Sequence, residues 1–425
     1  MMKRYTEEPR EILAKRWPNE SEGSKDLLDY VRPIVDDVKT RGDAAVKEYT
    51  EKFDMVKLDC LKVVSEEIQE AYKQVTQEQI QALGESRRRL EVVESRRLSQ
   101  MNFTTTIEGT DITCMTRPMS NVGCYVPGGK AAYPSSLIMN VTPAKVAGVG
   151  KVVICTPPGK NGKVTPLTLV AADICMVDEI YKVGGVQAIA ALAYGTESIS
   201  MVDKIVGPGN AYVTAAKTVV SGSVAIDKPA GPSEILIIAD GNADPRLIAL
   251  DLISQAEHGP GGISGLVTTS TELADNVDDI LDEMLPALER AEITKSVLEE
   301  GGFTYVVPSM DDAINFSNEF APEHLEIMTG IPEDVAEKIT SSGLILLGDY
   351  SPVSSTDYCM GVNHVLPTGG YAKVSAGITV LDYVKPVSIV KATRTGLNAV
   401  RTRVAAISDI EGLPNHKKAV EGRFK

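Results

Sequence analysis

Short β-branched runs alternate with helical segments from Val122 onward, and this alternation constrains the fold more than any other feature of the chain. In the first series the strands recur about every 25 residues, a spacing typical of βαβ units in a parallel sheet. The predicted strands are KVVIC (151–155), EIYKV (179–183) and KIV (204–206), and the predicted helices begin near Pro166 and run through QAIAALAYG and AYVTAAKTVV.

A second series of the same kind begins at Glu234, after a cluster of Pro and Gly between Asp227 and Ser233. It includes a helix from Pro245 to His258 and the predicted strands EILIIA (234–239), GLVTT (265–269), FTYVVP (303–308), LEIM (325–328) and LILL (344–347). A chain of 425 residues is long enough for two cores. We therefore predict an α/β fold of two doubly wound parallel-sheet domains.

The regions that flank the two series have a different character. The first hundred residues are mostly charged and helical in pattern, with one long solvated helix expected from about Glu66 to Leu98. Beyond Gly369 the chain is rich in Lys and Arg and has helical stretches. This tail is too small to hold a core alone, so we expect it to pack against something larger, such as a second subunit.

Charge and cysteine content exclude several classes of partner. A net charge of −15 opposes non-specific binding to nucleic acid or to anionic membranes. The six cysteines form no CxxC pair, which is typical of reduced thiols and argues against a thiolate zinc site. The N-terminal residues lack the apolar core of a signal peptide, and no later stretch of about twenty apolar residues occurs. We expect a soluble cytoplasmic protein with small-molecule ligands.

Gln255 and His258 lie at the predicted end of a helix. Asp244 is a favourable N-cap, Pro245 a favourable first residue, and Gly259 follows His258 directly. Residues three apart share one face of a helix, so an amide oxygen and an imidazole would lie side by side. The pair is either part of a metal site or an ordinary hydrogen-bonded surface pair.

Glu323 and His324 are consecutive, follow Pro322 and precede a predicted strand. Neighbouring side chains in an extended segment point in different directions, so the two could serve as separate proton-transfer groups for one substrate. The alternative is a loop acid beside a capping histidine.

Two further histidines also have an acidic neighbour. Asp357 and His364 share a loop rich in Gly, Ser and Pro after a strand, where parallel sheets bind ligands. Glu411 and His416 lie in the tail. The chain has only four histidines, and each lies in a loop or at a helix end near a carboxylate or an amide. A zinc ion could be bound by two imidazoles and two oxygens, from Gln255, His258, Asp357 and His416. Two histidines would remain for acid–base chemistry.

No GxGxxG sequence is present, so the usual dinucleotide fingerprint is missing. Gly-rich turns occur instead at strand ends: YVPGGK (125–130), VGGVQ (183–187) and GPGN (207–210). GPGN leads directly into a helix whose unpaired N–H groups favour a phosphate. These turns are either part of a nucleotide site or ordinary βα connections.

As a set, these residues resemble the histidinol dehydrogenase family. The matching strings run in order from about residue 120 to about 420 and are long enough to be specific. They are YVPGGKAAYPSS, KVAGV, GGVQAIAALAYGT, VDKIVGPGNAYV, AGPSEILIIAD, DLISQAEH, FAPEHLEI, DYCMGVNHVLPTGG and EGLPNH.

The resemblance implies a reaction in which L-histidinol, two NAD⁺ and water give L-histidine and two NADH through bound L-histidinaldehyde. It implies one Zn²⁺ per subunit that positions the substrate. His324 would remove the alcohol proton during hydride transfer, and Glu323 would activate the water that hydrates the aldehyde. The implied zinc ligands, which also contact the substrate, are Gln255, His258, Asp357 and His416.

The resemblance also implies further contacts and a quaternary structure. Besides His324 and the zinc ligands, histidinol would contact Ser233, His364 and Glu411, whereas NAD⁺ would contact Tyr125, Gln187 and Asn210. The family is a homodimer in which the C-terminal domain completes the partner's active site, so Glu411 and His416 would act on the neighbouring subunit. We accordingly expect a domain-swapped dimer.

Four parts of the chain follow from this interpretation. They are an N-terminal helical segment (1–21), a first α/β domain on the substrate and zinc side (22–124 plus 233–378), a second on the NAD side (125–232) and a small C-terminal domain (379–425). The two α/β domains are expected to be incomplete Rossmann-like units.

Several residues differ from those usual in the family, but none of them is an implied ligand or base. They are Val186, Thr356, Cys359, Met360, Lys228 and Pro229. Three other interpretations remain: a related enzyme acting on another small polyol such as a sulfonated diol, a zinc hydrolase that needs no dinucleotide, and a catalytically silent binding protein. His364 and Glu411 weigh against the first, and the Gly-rich turns are unexplained by the second.

Overall fold

The computed structural model describes residues 2–16, 24–128, 132–228 and 231–424 of the chain. Its strands are β1 (Lys3–Tyr5), β2 (Phe103–Ile107), β3 (Thr110–Pro118), β4 (Asn121–Tyr125), β5 (Lys151–Thr156), β6 (Glu179–Lys182), β7 (Lys204–Val206), β8 (Ala225–Ile226), β9 (Glu234–Ala239), β10 (Ile263–Thr268), β11 (Gly302–Val306), β12 (His324–Met328), β13 (Leu344–Leu347) and β14 (Val384–Ala392).

The α-helices include the helical segments that the sequence pattern predicts between these strands. They are α1 (Arg10–Leu13), α2 (Ser24–Arg41), α3 (Asp43–Asp54), α4 (Ser65–Tyr72), α5 (Gln77–Ser99), α6 (Pro134–Ala147), α7 (Pro166–Ile174), α8 (Gly185–Tyr194), α9 (Ala211–Val220), α10 (Pro245–Ala256), α11 (Thr271–Met284), α12 (Ala291–Gly301), α13 (Met310–Phe320), α14 (Pro332–Ala336), α15 (Val353–Thr356), α16 (Arg394–Ile410) and α17 (Pro414–Glu421).

Strands β4 to β8 form a parallel sheet in the order β6-β5-β4-β7-β8. Val122 of β4 pairs with Val152 on one side and with Lys204 on the other, so the strand order reverses between β4 and β7. Helices α8 and α9 pack with α2, whereas α6 and α7 pack with α4 and α5 in a separate apolar cluster. The predicted parallel sheet is confirmed, and its topological switch point lies at the carboxyl ends of β4 and β7.

Helices α2 to α5 pack against the helices that cover this five-stranded sheet, whereas α1 packs with the apolar cluster of the other sheet. Val31 and Val38 of α2 are fully buried in the same cluster as Ile189 of α8 and Val213 of α9. This packing differs from the expected division, which grouped residues 22–124 with the other α/β domain. The difference arises because most positions of these helices are charged and exposed. Their apolar face is narrow, and its sequence does not indicate which of the two sheets it packs against.

The single helix expected from Glu66 to Leu98 is divided into α4 and α5. The backbone N–H of Gln79 donates to the hydroxyl of Thr76 at 3.2 Å, and the Gln79 side chain accepts from the Thr76 N–H at 3.0 Å. This capping box starts a new helix, so the prediction of one continuous helix is wrong.

A second parallel sheet has the order β1-β11-β10-β9-β12-β13. Helices α10 to α12 contribute to one apolar cluster and α13 and α14 to another. Strand β9 is buried along its whole length, which explains its nearly continuous apolar sequence. The segment 1–21 is not wholly helical, because Lys3–Tyr5 extends this sheet by pairing with β11; residues 17–23 lie outside the described part.

A three-stranded antiparallel sheet joins the tail to the middle of the chain. Strand β14 pairs with β3, and β3 pairs with β2. The tail, expected to contain helical stretches, therefore also contains a strand, which is followed by α16 and α17 packed on each other. We call β2, β3, β14, α16 and α17 the arm. Several of its apolar side chains are exposed, among them Val390, Ile407 and Ile410.

No helix in the described ranges is long and apolar enough to cross a bilayer.

Candidate active site

A cavity of about 210 Å³ lies where the two parallel sheets meet. Ser233, Glu323 and His324 line it from the amino ends of β9 and β12, and Pro208 lines it from the turn that follows the carboxyl end of β7. On the six-stranded sheet the site therefore lies at the amino edge, not at the carboxyl edge expected for the Asp357 loop. The loop after α15 returns to this edge and brings Asp357 and His364 into the same cavity.

The backbone of Glu234 orients the His324 imidazole. His324 Nδ1 lies 3.0 Å from the Glu234 carbonyl oxygen. Because a carbonyl can only accept, Nδ1 carries the proton and Nε2 is the basic nitrogen. Nε2 has no hydrogen-bond partner in the described part of the chain. Burial lowers the pKa of His324 to about 4, so the ring is neutral at pH 7 and able to accept a proton.

The backbone of Glu234 also contacts Glu323. The Glu234 N–H donates to Glu323 Oε2 at 2.8 Å, and that oxygen lies 3.6 Å from His324 Nδ1. Burial raises the pKa of Glu323 well above its ordinary value. One cavity thus holds a neutral imidazole and a carboxyl group with a high proton affinity, a pair suited to two separate proton transfers.

His258, Asp357 and His364 form a second group in this cavity. His258 Nε2 lies 3.9 Å from Asp357 Oδ2. His364 Nδ1 donates to the Asp357 carbonyl oxygen at 2.7 Å, and its Nε2 lies 3.3 Å from the Ser136 hydroxyl. Burial raises the pKa of Asp357 to about 6. An imidazole and a carboxylate at this separation suit a divalent cation between them.

Gln255 lies three residues before His258, near the end of α10, and is buried. Neither its amide oxygen nor its amide nitrogen has a hydrogen-bond partner in the described residues. A buried amide without partners is costly, and a cation that the oxygen could coordinate would remove the cost of one of the two orphaned atoms. Gln255, His258 and Asp357 therefore fit the expected zinc set.

Gln255 is not among the residues that line the cavity, and neither is the fourth expected ligand, His416. His416 and Glu411 lie on the exposed surface of the arm, whose helices pack on each other and not on the two parallel sheets. For the same reason, no group of three His, Cys, Asp or Glu side chains suited to a metal occurs within the described residues of one chain. Within a single chain, the structure does not bring these two residues to the site.

A second cavity, of about 410 Å³, lies at the switch point of the five-stranded sheet. Tyr125, from the end of β4, and Asn210, from the turn after β7, both line it, and Pro208 of the same turn reaches the first cavity. Tyr125 Oη accepts from the Gly185 N–H at 3.2 Å. Part of the YVPGGK turn, residues 129–130, lies outside the described residues.

The turn after β7 is built for close approach to β4. Gly207 has a φ of +113°, and a Cβ at this position would collide with the Tyr125 carbonyl. Asn210 caps α9 by accepting from the N–H groups of Tyr212 and Val213, both at 3.1 Å. Gln187, near the start of α8, is buried, and its amide atoms have no partner in the described residues.

Glu234 and Arg16 are important to the site and were not predicted from the sequence. Glu234 is a buried acid at the start of the apolar run EILIIA, and a buried carboxylate requires a partner. This rule could have indicated Glu234 from the sequence, as an acid that needs a buried partner. No pattern in the N-terminal segment indicates Arg16.

Two doubly wound sheets with a buried acid–base pair between them define this protein as a two-domain α/β enzyme. The family model described as histidinol dehydrogenase matches residues 18–424. The chain therefore belongs to the histidinol dehydrogenase family, a family of oxidoreductases.

Similar proteins cover nearly the whole chain. Histidinol dehydrogenase from Methanosarcina mazei is 44% identical over 418 residues, or 97% of this chain and 96% of the relative. The protein of the same name from Clostridium acetobutylicum is 47% identical over 400 residues, or 94% and 93% of the two chains. The crystal structure of histidinol dehydrogenase from Elizabethkingia anophelis has a TM-score of 0.94 at 37% identity and covers 100% of this chain and 98% of its own.

Proposed function

We propose that this protein oxidises L-histidinol to L-histidine through L-histidinaldehyde, with two NAD⁺ and with zinc holding the substrate. The observation that carries the proposal is the neutral His324 with an unpartnered Nε2, beside buried Glu323 in the cavity that also contains His258 and Asp357. Family membership supports the substrate.

In the first oxidation, His324 Nε2 accepts the hydroxyl proton of histidinol while a hydride leaves the carbon that bears this hydroxyl. NAD⁺ supplies the hydride acceptor, and the second cavity, lined by Tyr125 and Asn210, is where we place it. Gln187 does not line this cavity, but Gly185 and Val186 just before it do. The Glu234 carbonyl holds Nδ1–H, so the basic nitrogen remains aimed away from this contact. The product of this step is the aldehyde.

In the second oxidation, a water molecule adds to the aldehyde carbon and loses a proton to Glu323. A second hydride then leaves the hydrated carbon for the second NAD⁺, which gives the carboxylic acid, and this acid releases its proton to solvent to become the carboxylate. Because burial raises the pKa of Glu323, its carboxylate is a stronger base than an exposed one. The four electrons of the two steps leave as two hydrides.

Zn²⁺, one per subunit, would hold the substrate in position through Gln255, His258 and Asp357 of one chain and His416 of a second. Ser233 and His364 would contact the substrate from the same chain, whereas Glu411 would reach it from the partner. This arrangement makes the active unit a homodimer with shared sites. The exposure of both arm residues in a single chain is consistent with it.

The test is the oxidation of L-histidinol by purified protein, with and without NAD⁺. We expect about two NADH per histidine formed, and loss of activity with a zinc chelator. NADH formation with other diols but not with histidinol would favour a related polyol enzyme. Turnover without NAD⁺ would favour a hydrolase.

A further inference from the structure

Among the described residues, only Glu234 makes backbone hydrogen bonds to both proposed catalytic side chains. Its N–H donates to Glu323 and its carbonyl accepts from His324, at 2.8 and 3.0 Å. The position of this one peptide segment therefore sets the geometry of both groups. Whatever holds Glu234 in place also holds the acid–base pair.

The Glu234 side chain is held by Arg16, from the N-terminal segment. Arg16 Nη1 lies 2.5 Å from Glu234 Oε1 and Nη2 lies 2.8 Å from Oε2, so the pair is bidentate. Both side chains are about 95% buried or more, with exposed fractions of 3% and 5%. The Gly369 N–H donates to Oε1 at 3.0 Å and is the third donor to this carboxylate.

Arg16 also fixes the segment that precedes Glu323. Its Nε donates to the Phe320 carbonyl at 2.8 Å and its Nη2 to the Ala321 carbonyl at 3.1 Å. Its guanidinium lies 3.8 Å from the centre of the Phe320 ring. Ala321 has a φ of +51°, a left-handed conformation that is strained for a residue with a Cβ and needs support from its surroundings.

We propose that Arg16 is a positioning residue for the acid–base pair. One guanidinium ties the Glu234 side chain to the backbone just before Glu323, and so fixes Glu323 and His324 relative to each other. The proposal rests on the proposed function only for the chemistry assigned to the pair. The match to the family model begins at residue 18, so Arg16 lies outside the matched part.

Charge matters as well as geometry at this point. The charged or titratable groups that act on Glu323 are Glu234, Asp357, Arg16 and the adjacent His324. Removing Arg16 alone would leave the Glu234 carboxylate buried without its cation, which is strongly destabilising. An informative test must therefore separate the loss of charge from the loss of the guanidinium contacts.

The experiment compares wild type with Arg16→Met and with the double variant Arg16→Met/Glu234→Gln, which leaves no unpaired buried charge. The first readout is ¹⁵N NMR of histidine-labelled protein, in which four ring systems are assigned through single His→Asn variants. Wild type should show His324 protonated at Nδ1 only. Both variants should show a mixture of tautomers, because the Glu234 carbonyl is no longer fixed.

The second readout is steady-state oxidation of histidinol. Both variants should lose about 100-fold in kcat, with KM for histidinol near the wild-type value, because misplacement of a catalytic group by about 1 Å has an effect of this size. Arg10→Met is the matched control, since Arg10 is in the same segment but its side chain is 88% exposed. It should behave like wild type in both readouts.

A folded Arg16→Met variant with wild-type tautomer and kcat would overturn the proposal. If the single variant does not fold, the double variant decides: wild-type tautomer and kcat there would mean that Arg16 only neutralises Glu234. A wild type that forms no NADH from histidinol would contradict the proposed function alone, because the His324 tautomer still reports on Arg16.

Discussion

His258 Nε2 lies 3.9 Å from Asp357 Oδ2, although the first residue follows helix α10 and the second lies at the end of α15. The two atoms are too far apart for a hydrogen bond but close enough to share a cation. The buried amide of Gln255 lies one helical turn before His258. The positions of these three side chains support a metal site whose ligands include no cysteine.

Loss of either residue should therefore remove zinc. In His258→Ala and in Asp357→Asn we expect zinc affinity to fall by more than the roughly 10- to 100-fold typical of losing a hydrogen-bond partner of a ligand. Metal content per chain, measured by plasma mass spectrometry after dialysis, checks this. Asp349→Asn is the control, since Asp349 is exposed. Full zinc occupancy in both ligand variants would rule out the assigned set.

Glu323 and His324 should affect different steps. His324→Asn should reduce hydride transfer from histidinol, whereas Glu323→Gln should mainly slow the conversion of aldehyde to acid and let aldehyde accumulate. Rapid-quench product analysis separates the two steps. Equal losses in both steps for both variants would contradict the division of labour.

The pH dependence of stability should reveal the buried His324 ring. Its pKa is lowered to about 4 in the folded chain, so between pH 6.5 and pH 4 the unfolded chain takes up a proton that the folded chain cannot, and stability falls as the pH falls. From pH 7 to pH 4.5 the free energy of unfolding of wild type should drop relative to His324→Gln by about 2 kcal/mol. Urea unfolding at the two pH values measures this difference, and a constant difference would contradict it.

Asn210 should contribute both to helix α9 and to cofactor binding. Asn210→Ala removes the helix cap, which costs about 1 kcal/mol, and should also raise KM for NAD⁺ with little change in KM for histidinol. Ser309→Ala removes the cap of α13, away from both cavities, and should cost similar stability without changing KM for NAD⁺. The same KM for NAD⁺ in both variants would argue against a cofactor role for Asn210.

Shared active sites predict complementation between inactive chains. In a mixed dimer of His258→Ala and His416→Ala chains, one of the two sites keeps both histidines. Random mixing makes half of the dimers mixed, so roughly a quarter of wild-type activity should return. Activity assays after joint unfolding and refolding measure it. Verified mixed dimers without activity would exclude the shared arrangement.

The parallel sheets could be predicted because their strands are read directly from local sequence. After Glu234 the run ILIIA (235–239) is apolar because β9 is buried on both faces, and the helix ending near His258 carries its own cap and stop signals. Glu323 and His324 stood out because two acid–base groups are adjacent in sequence. In these cases the information lies within a few residues.

The remaining features depend on contacts between distant segments. Strand β14 contains Lys385, Pro386 and Lys391 and forms only because β3 pairs with it across the chain. Arg16 forms an ion pair with Glu234, and no local sequence pattern connects the two segments. The break between α4 and α5 is the exception, because the Thr76 and Gln79 capping box was readable in the sequence.

A second copy that covered the aliphatic side chains exposed on the arm, such as Ile410 at 85% exposure and Val390 at 63%, would link the folding of this chain to its abundance. A second copy that covers them would bind only the folded chain, so mass action would raise the melting temperature with protein concentration. Dilution alone would then weaken both the structure and the completed site, and heat tolerance would become a property of how much of the protein is present.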